Sequence, residues 1–187
     1  MKPFVKSTLA TAIPFVLSTT ISCRHQAVAP SVPQTAPELK QTVSMQADQV
    51  NTAGWDGAWT NLLNTIEQSF VPSFPRLVAA EVELVVGDSG RQKDEVTLSV
   101  LDAEGQVLAT VTQEVRAESP DHVMFVLPTG GIGVSPERPY RLRLSGDSTF
   151  GWKYIVGGYE KGEATFNGKP LLPGARSTFL FRTFGRN

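Results

Sequence analysis

One cysteine, Cys23, and two histidines, His25 and His122, are all the thiol and imidazole chemistry in this 187-residue chain. A lone cysteine cannot form a disulfide within the chain, and with the histidines scattered no zinc ligand set is expected. A surplus of one charge is lacking too, since 17 Lys and Arg face 18 Asp and Glu. Without a basic excess there is little to neutralise phosphates, so nucleic acid is not expected as a partner. The uncharged run Leu9–Ile21 is shorter than a spanning helix and is broken by Pro14. What the chain does carry is 16 Gly, 13 Pro and 41% hydrophobic residues, the composition of a loop-rich β domain with room for appendages.

The first 22 residues read as a secretory signal. Lys2 and Lys6 precede the uncharged run, and the small residue Ser22 stands before Cys23. T-I-S-C, Thr20 to Cys23, resembles the lipobox of bacterial lipoproteins, which implies Cys23 as the lipidated first residue of the exported chain. Simple secretion, with cleavage after Ala29, is the alternative. From residue 23 to 50 the sequence is rich in Ala, Gln, Ser, Thr and Pro and has no aromatic residue. Such a stretch buries too little apolar surface to offset the entropy of ordering, so a disordered tether is expected. As a flexible coil it would reach roughly 30 Å, with the folded domain spanning residues 51–187.

Within that domain, Gly54–Ile66 spaces Trp55, Trp59, Leu62, Leu63 and Ile66 near helical intervals, although two glycines interrupt it; one short helix or an irregular segment is expected there. Beyond Glu67 the period changes to two. Apolar residues alternate over Arg76–Val86, Glu95–Leu101, Val107–Val115, Val123–Leu127, Tyr140–Leu144, Phe150–Tyr154 and Ser177–Thr183. D-A-E-G at 102–105 predicts a tight hairpin, and Asn167-Gly168 a turn with positive φ at both positions. Short strands with one apolar face each, and no crossover helices between them, predict an all-β fold: an antiparallel two-sheet β-sandwich.

Four stretches, Q-S-F-V-P (Gln68–Pro72), D-A-E-G-Q-V-L-A (Asp102–Ala109), V-S-P-E-R-P-Y (Val134–Tyr140) and F-L-F-R-T-F (Phe179–Phe184), occur in that order. Together they resemble the jelly-roll modules of bacterial extracellular proteins, similar to galactose-binding-like and carbohydrate-binding domains. The resemblance spans about Glu67–Phe184 and implies a non-catalytic module without a cofactor. In it the first motif opens a core strand and the last is the closing strand.

G-D-S-G at 87–90 has the letters that flank a protease nucleophile, but an activated serine needs a positioned base. His25 lies in the tether and His122 at a strand entrance, and turn chemistry accounts for the motif. Glu81 and Glu83, two apart on one strand, read as a polar outer face or as a glycosidase carboxylate pair. Asp88, Asp94, Glu95, Asp102, Glu104 and Asp147 are loop acids whose oxygens suit calcium, although no dense Asp-x-Asp pattern occurs. The ligand site expected from aromatics consists of Trp152, Tyr154, Tyr159 and Trp55, since sugar C–H faces lie on such rings. The functional expectation is a cell-envelope lipoprotein, held to the membrane through its lipid, whose sandwich binds a glycan or an envelope protein. A structural scaffold without a small ligand is the alternative.

Overall fold

The computed structural model describes residues 44–87 and 89–187. These residues form strands β1 (Gln46–Asn51), β2 (Trp59–Asn61), β3 (Ile66–Phe70), β4 (Arg76–Val82), β5 (Leu84–Val86), β6 (Lys93–Leu101), β7 (Val107–Arg116) and β8 (Val123–Val126). After a short 3-10 turn follow β9 (Ile132–Gly133), β10 (Tyr140–Ser145), β11 (Phe150–Val156), β12 (Ala164–Phe166), β13 (Lys169–Pro170), β14 (Ser177–Phe179) and β15 (Phe181–Arg186). No α-helix occurs among the described residues, so Gly54–Ile66 is irregular apart from β2 and the start of β3. The signal segment, Cys23 and most of the tether lie outside the described residues.

The fold is an antiparallel β-sandwich whose sheets do not close into a barrel. One layer is six-stranded, in the order β13-β12-β3-β10-β6-β7. The other contains β1-β15-β4-β8, with β9 also on β4, and β14-β11-β2, with β5 also on β11. Both expected hairpin turns form. Gly105 N–H bonds to Asp102 O and Gln106 N–H to Asp102 Oδ1, and Asn167 and Gly168 have φ of 50° and 74° between β12 and β13.

Two runs that read as single strands are each interrupted once, at Glu83 and at Leu180, and the interruptions coincide in space. Glu83 N–H donates to Leu180 O, Leu180 N–H to Lys153 O, and Lys153 N–H to Glu83 O. On one side of this triangle β4 pairs with β15; on the other, β5 and β14 part and run one after the other along the same edge of β11. The result is a three-way junction in which every backbone bond at the branch point is made.

Side chains alternate inward from both layers into one core. Leu98, Val100, Leu142 and Leu144 of the six-stranded sheet meet Ala80, Val82, Phe125 and Phe181 of the other layer. Phe70 and Phe181 lie 6.4 Å apart between ring centroids, and Trp152 stacks on Phe179 at 4.3 Å with 13° between planes.

The N-terminal boundary expected at residue 51 is too late. β1 runs from Gln46 and pairs with β15, inside the stretch expected to be tether. Its inward residues are polar, which is why period-two hydrophobicity does not reveal it. Asn51 Nδ2 donates to Phe179 O at 2.6 Å and to Thr178 Oγ1 at 3.1 Å. Gln49 bonds to the Tyr159 hydroxyl and to Ser73. Buried polar groups of this kind hold a strand only when partnered, and here they are.

Candidate functional site

The four aromatic residues expected to form a ligand platform do not share a surface. Trp152 is fully buried. It follows Phe150 by two on β11, and that parity points inward; its indole N–H donates to Leu180 O at 2.9 Å, so the ring needs nothing from outside. Tyr159 packs edge-on to Phe181 at 5.3 Å, and its hydroxyl accepts from Val71 N–H and donates to Gln49. Burial pushes its phenol up from the ordinary value. Tyr154 is half-buried, edge-on to Phe179. Only Trp55 is exposed, at 41%.

The surface that does gather functional groups is the outer face of the junction, reached by the opposite parity of β11. Gly151 and Lys153 point there, where Lys153 stands opposite Trp59 in the pairing with β2. A Cβ at position 151 would lie 2.0 Å from Cε3 of Trp59, so only glycine lets that indole lie on the strand. Lys153 is 7% exposed; its ammonium bonds to Asp121 at 2.7 Å and sits 4.5 Å from the Trp55 ring centroid. A cation over an indole face is attracted by the ring quadrupole, so Lys153 braces the ring. Trp55 Nε1 donates to Ala58 O at 2.7 Å, which spends the indole's polar edge, while the ring takes Lys153 on its π system and the residue keeps 41% of its surface exposed.

Beside them lie Glu81 and Glu83. The row Val50, Arg182, Glu81, Met124 crosses four strands in register. One step beyond the Val82–Val123 pair, Glu83 and His122 follow. His122 Nδ1 and Arg182 Nη1 each stand 3.4 Å from Glu81 Oε1. That oxygen is nevertheless buried without an aligned hydrogen bond. Glu83 is 8% exposed. Burial pushes its carboxyl above the usual range, against the pull of His122, Lys153 and Arg182 and with help from Glu81. The bonded ammonium of Lys153 holds Asp121 below that range.

Sequence alternation places Glu81 and Glu83 on an outer face, as read. It does not reveal that Lys153, Asp121, His122, Arg182 and Trp55 join them, because the junction brings together positions that no local pattern connects.

The remaining motifs resolve into local structure. Ser89 Oγ bonds to Thr149 Oγ1 at 3.1 Å and accepts from Arg91 N–H, while His122 is engaged with Glu81. Asp94 Oδ2 accepts from Asp147 N–H, and Asp147 pairs with Arg91. Among the described residues no group of three or more His, Cys, Asp or Glu is arranged to hold a metal ion. No family model matches the chain, and no curated protein does either.

Proposed function

We propose that this protein is a non-catalytic binding module of the cell envelope, tethered through a lipid on Cys23, that holds a glycan on the outer face of the junction. One observation carries the reading: an exposed indole whose polar edge is already bonded is held by Lys153, which is itself paired with Asp121. A sugar ring lays its C–H face on such a ring while side chains around it fix its hydroxyls. The Ala58 and Lys153 contacts hold Trp55 in place, and a preorganised ring loses less affinity to ordering.

A glycan array probed with the full chain and with Trp55→Ala tests the assignment. Binding that falls at least about tenfold in the variant, a loss of some 1.4 kcal/mol, supports it. Binding unchanged by Trp55→Ala refutes this face as the site. No glycan binding at all, with co-purification of an envelope protein, would assign the domain to a scaffolding role. For the anchor, Cys23→Ala should abolish fatty-acid labelling and move the protein from the membrane to the soluble fraction. Persisting label would remove Cys23 from that role and leave simple secretion.

A further inference from the structure

The six-stranded layer ends on one side at β7, and among the described residues no strand pairs with its free edge. Sheet edges are ordinarily guarded by brevity, proline, lysine or a bulge. The opposite edge of the same layer, β13, has two residues and includes Pro170; in the other layer β8 has four residues and β1 an irregular register. β7 has ten residues, and its register with β6 runs without a shift from Ala109 to Arg116. Ala109–Gln113 contains no proline and no charge. Beyond Gln113 the edge borders an open cleft toward His122 and Met124.

The ladder fixes which way each main-chain group points. Ala117 N–H donates to Gln92 O at 2.8 Å, and in the same register Glu95 stands opposite Glu114, Thr97 opposite Thr112 and Ser99 opposite Thr110. Bonded and non-bonded pairs alternate along an antiparallel ladder. Val115, Gln113 and Val111 therefore direct their N–H and C=O to β6, while Glu114, Thr112 and Thr110 turn theirs to the free edge. The side chains agree, because non-bonded pairs stand closer together: the hydroxyls of Thr97 and Thr112 meet at 2.7 Å, and those of Ser99 and Thr110 at 3.1 Å.

A long, regular edge with unbonded main-chain groups is a template for another strand. We infer that β7 pairs antiparallel with β7 of a second copy about a two-fold axis at Thr112, joining two six-stranded layers into one sheet. Only an axis at Thr112 pairs Thr110, Thr112 and Glu114 wholly among themselves, so every outward N–H and C=O of the three is bonded in both copies. Thr110 then faces Glu114 and half-buried Val111 faces Gln113 in each half, and no like charges meet. The inference is independent of the glycan-binding reading, since Trp55 takes no part in it.

Sedimentation velocity of the full chain in density-matched detergent at low salt, over a dilution series, reads the association, and hydrogen exchange followed by NMR reads its place. The expected result is a monomer–dimer equilibrium in which the amides of Thr110, Thr112 and Glu114 gain protection with concentration, while those of Val111 and Gln113 are protected throughout. Thr110→Glu sets an acid against Glu114 in both halves and should raise the dimer dissociation constant about tenfold. Thr110→Lys sets opposite charges there and should dimerise at least as tightly as the parent. Thr112→Pro removes an N–H that only a second copy uses, which an edge strand tolerates, and should abolish the dimer with the far-UV circular dichroism unchanged; if that variant fails to fold, the Glu and Lys pair still decides. A chain that stays monomeric at every concentration, a dimer whose Thr112 amide exchanges freely, or equal weakening by Glu and Lys at position 110 overturns the inference. So does protection of the three amides that dilution leaves unchanged, which would put the chain's own residues 1–43 on the edge.

Discussion

Gln68→Leu should destabilise the domain although it fills the same space with an apolar side chain. Gln68 is fully buried, and its Oε1 accepts the backbone N–H of Phe179 at 2.7 Å. The carbonyl of the same Phe179 accepts from Asn51 Nδ2 at 2.6 Å. N–H and C=O of one strand residue point to the same side, so these two amides stand where a neighbouring strand would otherwise run. β14 is thus bonded on one edge by β11 and on the other by two side chains. Leucine removes the acceptor and leaves the Phe179 N–H buried without a partner, which costs about 1–3 kcal/mol. Taking about 2 kcal/mol, and about 2–4 °C per kcal/mol for a domain of this size, the melting temperature should fall by about 4–8 °C. Urea titration followed by far-UV circular dichroism gives the free energy directly, with an unchanged slope showing that two-state unfolding persists. A change below about 0.5 kcal/mol would refute the strand-substitute role, because a buried amide hydrogen would then be unpaired at no cost.

Three further outcomes follow from the same structure. Glu83 has a folded-state pKa above its ordinary value of 4.5, so its stabilising contribution is fully present below the unfolded value and is lost as pH rises through the folded one. Glu83→Gln, which removes the charge that Glu81, His122, Lys153 and Arg182 surround, should therefore unfold at higher urea than the parent at pH 8, and the gap should close by pH 4. A gap that widens on acidification would reverse the sign and refute the burial argument. Gly151→Ala brings a methyl to 2.0 Å from the Trp59 ring and should cost about 1–3 kcal/mol by overpacking. Combining it with Trp59→Ala should recover the clash part of that loss, and a purely additive double variant in thermal melts would show that no clash existed. Finally, a chain that starts after Asn51 should be less stable than one that starts at residue 44. It loses the Asn51 and Gln49 partners of Phe179, Thr178 and Tyr159, at about 1–3 kcal/mol for each buried group left unpaired; equal midpoints in urea would remove β1 from the folded unit.

Much of the fold is legible where one side of a strand is apolar. Val96, Leu98 and Val100 on β6, and Tyr140, Leu142 and Leu144 on β10, alternate as the buried set of their sheet. The turns at Asp102 and Asn167 carry their own conformational reasons. Legibility ends where polar side chains do the burying. β1 presents Gln49 and Asn51 to the interior, and a hydrophobic period has no means of registering them. It ends also at the breaks: the runs through Glu83 and Leu180 look continuous, because their interruption comes from a third strand claiming their hydrogen bonds. For the site, alternation on β11 establishes that Trp152 and Lys153 face opposite ways but not which way is in. The indole settles it by bulk and by a backbone carbonyl within reach of its N–H.

That choice of face ties the core to the surface chemistry. With Trp152 committed inward against Phe179, its neighbour Lys153 must emerge on the other side, directly at the branch point where Glu83 and Leu180 leave their partners. A strand break in a flat sheet would expose its backbone groups, yet here the three segments satisfy one another and the break costs no hydrogen bond. What it changes is direction. β4 and β5 part company at Glu83 just where β8 begins beyond His122, so an acid from β4, one from the break, a histidine from a loop and a lysine from β11 converge without lying on one strand. Straightening the junction would disperse those groups along two separate sheets. The same backbone triangle that completes the core therefore fixes the spacing of the charged face.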